Sequence, residues 1–405
     1  MSTPPVSDDR NRADAPAAIP EVARELGGLG PAIALILTMF VEAVGYGVVA
    51  PTLPFLARRF GAGEGGIGLL IGLYAAVGLV AVIPLGILAN RHGRRMLVYV
   101  GLVCLTAASI GFVLAPTYGW LVIARLAQGL GAASVWVGAL TMAADLSPDR
   151  AMGKSLAWIS GSWSLGFVVG PALGGLGTER TPFIVYAALS GAALAAALLF
   201  LPETGRPGSR ATLAGIVRVL RRPTVLLSGA ATFVLSYFYG ALEAFLPLLA
   251  DERHVSRLQI GLLFAIAGAP SILFPRLTGA LADRYGDLRV LSAGLLYAAV
   301  LGSALTPLTG HAPLWVAFAL IGLVEVIVYV PAVALLNRGM SREDRIFATG
   351  SHSYAFSAGF FLGPAIGGLL LPLGGWTLLF GSLAAVAFGG VVCLLATRGR
   401  IAETA

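Results

Sequence analysis

Twelve apolar runs, each long enough to cross a bilayer, constrain this 405-residue chain more than any other feature. Their limits are 31–57, 67–89, 96–116, 119–144, 152–176, 182–202, 224–250, 258–282, 289–308, 313–337, 346–372 and 375–396. A spanning helix needs about 20 mostly apolar residues. The hydrocarbon offers no partner to free backbone groups, so runs of this kind fold as helices. Only 12% of the residues are charged against 57% hydrophobic, too few to cover the surface of a soluble protein this long. The fold class is therefore all-α integral membrane, with twelve transmembrane helices. Several runs exceed the bilayer thickness, which implies tilt or extension beyond it.

The polar gaps orient these spans. "NRHGRR" (90–95), "SPDRAMGK" (147–154) and "RGMSRED" (338–344) follow even-numbered spans and hold most of the basic residues, as does the stretch 203–222 with Arg206, Arg210, Arg218, Arg221 and Arg222. The odd-numbered gaps hold only Arg58, Arg59, Arg180, Arg253 and Arg257. By the positive-inside rule the even gaps and both termini are cytoplasmic, and the localisation expected is the cell membrane. The net charge of +7 is thus a topology signal and not a nucleic-acid footprint. Residues 1–30 form a polar tail without an apolar signal core. Cys104 and Cys393 lie inside separate apolar runs and read as inert thiols.

The chain repeats itself. "IGLLIGLYAAVGLVAVIPLGILANRHG" (67–93) aligns without a gap on "IGLLFAIAGAPSILFPRLTGALADRYG" (260–286), a shift of 193 residues. The same shift carries "GFVVGPALGG" (166–175) onto "GFFLGPAIGG" (359–368). The organisation expected is a tail (1–30), a six-helix bundle (31–202), a cytoplasmic linker (203–223), a second six-helix bundle (224–396) and a tail (397–405). Two such bundles enclose a cavity near the bilayer midplane and suit alternating access.

Ionisable residues inside the runs are the functional candidates. A charge at a helix centre costs about 2.5–3.5 kcal/mol on insertion scales. Glu42, in "LTMFVEAVGYGVVAPTLP", therefore faces a wet cavity or a partner, or carries a proton. Desolvation and a nearby guanidinium push a carboxyl in opposite directions, so a site whose surroundings alternate can load and release a proton. At about 1.5 Å per residue, Glu42 lies near the middle of its span, within reach in depth of the long Arg125 side chain. Arg125 and Gln128 are expected to tune Glu42, directly or through water; static polar packing is the bland alternative. Glu243, about two turns from an outer end, is either a further proton-coupling acid or simply hydrated there, and Glu325 lies deeper, as a second proton or substrate-cation site. Tyr46, Trp136, Trp163, Tyr237, Tyr239, Tyr329 and Tyr354 are candidates for an apolar substrate cavity, each with packing as the alternative.

Four motifs make the chain resemble the major facilitator superfamily, and within it the twelve-helix drug:proton antiporters. "GILANRHGRR" (86–95) is similar to the loop after the family's second span. "RLAQGLGAA" (125–133) is similar to its fourth-span motif, and "GFVVGPALGG" to the G-x-x-x-G-P-x-x-G-G antiporter signature. "EAVGYGVVAPTLP" (42–54) resembles the first span of proton-coupled tetracycline exporters, where an acid holds the place of Glu42. The resemblance implies gating roles for Gly86, Asn90, Arg91, Gly93, Arg94, Asp283 and Arg284, and a seal at Gly170, Pro171, Gly363 and Pro364. For Arg91, Arg94 and Arg95, setting topology is the simpler role. The family's loop acid is Asn90 here, while the second copy keeps Asp283, so an asymmetric gate is expected.

These features imply export of small lipophilic or cationic compounds in exchange for protons. The alternative from the same fold is transport of one defined metabolite. "GKS" (153–155) is no phosphate loop, because Pro148 stands where the first glycine belongs. H-E-x-x-H and G-x-S-x-G are missing from the sequence, and His92, His254, His311 and His352 are scattered. No enzyme activity, cofactor, metal or nucleic-acid partner is expected. The partners expected are a small-molecule substrate, protons and the bilayer, with the chain monomeric.

Overall fold

The computed structural model describes residues 26–148, 152–204, 218–306, 311–338, 340 and 342–402. Residues 1–25 of the tail, 205–217 of the linker and the Asn90 side chain lie outside the described residues. The elements are α1 (Leu29–Val49), α2 (Leu53–Arg59), α3 (Glu64–His92), α4 (Arg94–Leu114), α5 (Tyr118–Leu146), α6 (Met152–Gly174), α7 (Thr181–Phe200), α8 (Pro223–Glu252), α9 (Arg257–Gly268), α10 (Pro270–Leu273), α11 (Pro275–Tyr285), α12 (Asp287–Ala304), α13 (His311–Asn337) and α14 (Arg342–Ala402).

Among the described residues ten helices are long and apolar enough to span, and the pair Arg257–Leu273 and Pro275–Tyr285, bent by 50°, makes an eleventh. Pro270 and Pro275 explain that break: each removes a backbone donor where the run was expected to be one helix. The twelfth span is hidden in α14. Its 61 residues are interrupted at Gly374 and at Gly375, whose φ of 62° suits only glycine. The chain doubles back there, since a methyl group on Gly367 would meet Leu379, twelve residues on, 2.8 Å away. Tyr237 likewise lies against the backbone of Gly363 and against Ser382 beyond the break.

The repeat extends through the whole bundle. At the 193-residue shift, helix starts coincide at Glu64 and Arg257 and at Arg94 and Asp287. Tight turns fall at Gly93 (φ 89°) and Gly286 (φ 90°). Gly47 packs against the Pro171 ring, and its counterpart Gly240 against Pro364. Gly170 fits the Val44 carbonyl and Gly363 the Tyr237 carbonyl. Small residues let these backbones touch, the usual way helices associate in lipid.

The halves join at the distal end, which carries the turns at 60–63, 175–180 and 253–256. A methyl group on Gly68 would strike the Pro364 carbonyl, and one on its counterpart Gly261 the Pro171 carbonyl. Gly175 abuts the Arg257 carbonyl and Gly368 that of Glu64. Glu179 pairs with Arg257 across the halves and with Arg59 at 3.5 Å, while Arg257 lies over the Phe55 ring at 5.4 Å. Cross-half contact continues to Gly78, which faces Ser357, but Gly86 has nothing within 4 Å. At the proximal end the ion pairs Arg94–Asp145 and Arg338–Asp287 each stay inside one half.

Candidate functional site: a carboxylate shelf beside the inter-half cavity

Glu42 lies in the middle of α1 with 2% of its surface exposed. One carboxylate oxygen accepts the Tyr74 hydroxyl at 2.8 Å and the other the Trp163 indole N–H at 2.6 Å. α3 supplies Tyr74 and α6 supplies Trp163. Trp136 of α5 stands 5.8 Å from Trp163, and Phe167 stacks on it at 5.3 Å. The carboxylate thus rests on two neutral donors inside an aromatic shell.

Arg125, fully buried in α5, meets Glu42 only at one remove. Its guanidinium lies 4.8 Å over the Tyr74 ring, donates to Gln128 at 2.7 Å and to the Ile71 carbonyl at 3.1 Å. Gln128 passes a hydrogen bond to the Gly45 carbonyl at 2.9 Å, which ties α5 to α1 beside the acid. Among the described residues no ion pair joins Arg125 to Glu42; of the two routes expected, direct or through water, the direct one is not made, and Tyr74 stands between the groups. Sequence inspection missed Tyr74: a lone tyrosine in an apolar run looks like packing until the acid across from it is seen.

A small cavity lies between the halves. Tyr46 and Tyr239, counterparts at the 193-residue shift, both line it, together with Glu243, Phe264, Phe318 and Ile321. Glu243 is buried in this wall, not hydrated near a helix end, because α8 continues to Glu252 and the halves cover it. One Glu243 carboxylate oxygen and one of Glu325 have no hydrogen-bond partner. Tyr46 faces Glu243 and Tyr239 faces Glu325.

The other aromatic candidates lie elsewhere. Trp136 and Trp163 form the shelf and do not line the cavity wall. Tyr237 turns away to Ser382 at 3.4 Å. Tyr329 is half-exposed and meets His352 edge-on at 5.6 Å, and Tyr354 is partly buried outside the cavity lining.

Gly170 and Gly363 pack within their own halves, so the cross-half seal is made by the Pro171 and Pro364 carbonyls instead. Arg94 holds Asp145 and the Thr141 carbonyl (3.0 Å), Arg91 and Asp283 are exposed, and Arg284 lies over Tyr285 at 5.2 Å. At the distal turn, the hydrogen bond from Arg257 holds the Glu179 carboxyl below the usual carboxylate range.

The shelf exists in one half only. At the 193-residue shift Glu42, Tyr74, Arg125, Gln128 and Trp163 correspond to Leu235, Ala267, Phe318, Ile321 and Phe356. Three of those replacements, Ala267, Phe318 and Ile321, line the cavity.

The family model described as "Major Facilitator Superfamily" matches residues 35–251 and 229–404. The chain is 26% identical over 357 residues to a Bacillus subtilis protein named "Multidrug resistance protein 1", covering 84% of this chain and 89% of that one. It is 25% identical over 359 residues to the Staphylococcus aureus "Quinolone resistance protein NorA", with 83% and 88% covered. Among solved structures, a POT family transporter in complex with 5-aminolevulinic acid superposes with a TM-score of 0.77 at 14% identity, covering 94% of this chain and 97% of that one. A bacterial homolog to the human lysosomal transporter Spinster, in an inward-facing and occupied conformation, gives 0.73 at 15%, covering 90% and 94%.

Proposed function

Because the chain belongs to the major facilitator superfamily, and is a multi-pass transporter and not an enzyme, we propose that it exports small lipophilic or cationic compounds in exchange for protons. The observation that carries this is the shelf: an acid buried on two neutral donors, with its nearest guanidinium held behind a tyrosine ring. The names of the multidrug and quinolone resistance relatives supply the substrate class.

In this reading the proximal end and both termini are cytoplasmic, the protein is a monomer in the cell membrane, and the described state is closed outward. The bundles 31–202 and 224–396 rock about the cavity, joined by 203–223. Glu42 takes a proton when the distal end opens and releases it when the proximal path is wet. Glu243 and Glu325, with unpartnered oxygens near the cavity, receive the cationic group of the substrate or a second proton. A proton descending 100 mV supplies about 2.3 kcal/mol to the cycle. Two acids near an otherwise apolar wall fit a cation with a greasy body better than an anion.

The test is transport in proteoliposomes with an imposed pH gradient and a panel of lipophilic cations. Wild type exchanges several of them in response to the gradient, and Glu42→Gln loses that response. A normal pH response in Glu42→Gln removes Glu42 and moves the role to Glu325. Uptake of a single polar metabolite, with no cation exported, overturns the export reading.

A further inference from the structure

We infer that Phe360 is the plug that bars the Glu42 shelf from the distal side when the distal end is shut and opens it to that side when the end opens. The inference rests on Glu42 being the proton site and adds what couples it to the movement of the halves.

Most rings around the shelf travel with Glu42. Tyr46, Tyr74, Trp163 and Phe167 belong to its own half, so rigid-body rocking leaves their mutual contacts alone. From the opposite half, Phe360 in the first limb of α14 is the ring that packs on both Tyr46 and Tyr74. Its centroid lies 5.7 Å from Tyr46 and 6.5 Å from Tyr74, and it is fully buried. Phe356 stacks on it at 5.8 Å and 18°, as Trp163 stacks on Phe167 at 5.3 Å and 12°. Phe360 is also the 193-residue counterpart of Phe167, which lies 5.7 Å from the same Tyr46. Tyr46 is thus bracketed by two equivalent rings, one fixed to its half and one removable.

The removable ring is tied to the distal seal. One residue on, the Phe361 carbonyl faces Gly72; one turn on, the Pro364 carbonyl abuts Gly68. Both contacts are backbone to backbone on α3, the helix that also carries Tyr74. α14 cannot leave Gly68 without withdrawing Phe360 from the Tyr74 face. Its withdrawal opens the face of Tyr74, the donor on the Glu42 carboxylate, to protons from the distal side, the side from which Glu42 is loaded. Packed aromatic interfaces are bistable and do not stretch, so the change is a step.

The experiment measures proton leak and drug-driven proton exchange in proteoliposomes for wild type, Phe360→Ala, Phe360→Leu, Glu42→Gln and the Glu42→Gln/Phe360→Ala double variant. Phe360→Ala is expected to raise the substrate-free leak about ten-fold, to shift the pH profile of exchange and to leave binding of a lipophilic cation near wild type. Phe360→Leu restores most of the tightness, and Glu42→Gln in the same chain abolishes the leak. A tight, fully coupled Phe360→Ala overturns the plug, as does a leak that persists in the double variant. Should the alanine variant fail to accumulate, Phe360→Val decides: a leak above wild type that Glu42→Gln removes supports the plug, and wild-type tightness refutes it. Pathways fail separately here. Glu42→Gln that still answers the gradient sinks the proton site and the plug together, whereas an inactive Glu42→Gln beside a tight Phe360→Ala sinks the plug alone.

Discussion

Gly68→Ala tests how the distal end stays shut. The added methyl carbon would fall on the Pro364 carbonyl, with the carbonyl carbon 2.9 Å away, and both partners are backbone within long helices. No side chain can rotate aside, so the halves must separate. Overpacking of this kind costs about 1–3 kcal/mol. Because the penalty exists only while the halves touch, it acts on the balance between closed and open states, which moves by roughly 5- to 150-fold. Gly261→Ala should act alike, since its methyl would strike the Pro171 carbonyl and lie 3.0 Å from the Gly175 nitrogen. Spin labels on cysteines placed at Gly63 and Asp251, in a chain lacking Cys104 and Cys393, report the distal separation by pulsed electron resonance. Gly68→Ala should move weight to the longer distance. Gly86→Ala and its counterpart Gly279→Ala, with nothing within 4 Å of the added carbon, should leave the distribution unchanged. An unaltered distribution in both Gly68→Ala and Gly261→Ala, or an equal shift in the controls, would refute the glycine-carbonyl seal.

Three further outcomes follow from other contacts. Arg125→Ala strips Gln128 and the Ile71 carbonyl of a buried charged donor, a loss of about 1–3 kcal/mol for each stranded acceptor; exchange should vanish and thermal stability in detergent fall, and Lys should not rescue a donor that reaches two ways. Glu179 is held below the usual carboxylate range by Arg257. Its latch is therefore intact above that range and lost as external pH falls through the lowered value; distal opening, read by the same labels, should rise in acid, and Glu179→Gln should remove the dependence. Swapping Arg94→Asp with Asp145→Arg gives the first-half pair the polarity of Asp287–Arg338, placing the acid at a helix start and the base at a helix end. The double variant should keep the fold and gain about 0.3–1 kcal/mol per helix end, while either single variant loses stability in a melting assay.

What the sequence makes legible here is whatever the bilayer dictates. Run lengths give the spans, because a helix must cover a fixed thickness, and the two repeated segments at a 193-residue shift foretell a symmetry that the helix starts then carry throughout. The break in the eighth span at Pro270 and Pro275 is written in the run itself but obscured by its continuous apolar character. Glu42 stands out as an ionisable group among apolar neighbours. Its partners do not, since Tyr74 and Trp163 come from 32 and 121 residues away, and tertiary hydrogen bonds leave no local trace. Arg125 looked like a partner of Glu42 because depth along a helix is countable and azimuth is not; Tyr74 occupies the space between them. Whether Glu243 is hydrated or covered is not legible for a related reason. Counting turns gives depth within one helix, whereas cover comes from the opposite half.

The unequal inheritance of the two copies has an evolutionary consequence. The Glu42 shelf is lodged in one copy, and the other presents Ala267, Phe318 and Ile321 as a greasy lining at the matching places. On the proposed reading, substitutions in that lining retune which cargo is preferred while the Glu42 shelf goes untouched, so the spectrum of compounds can drift without the engine stalling.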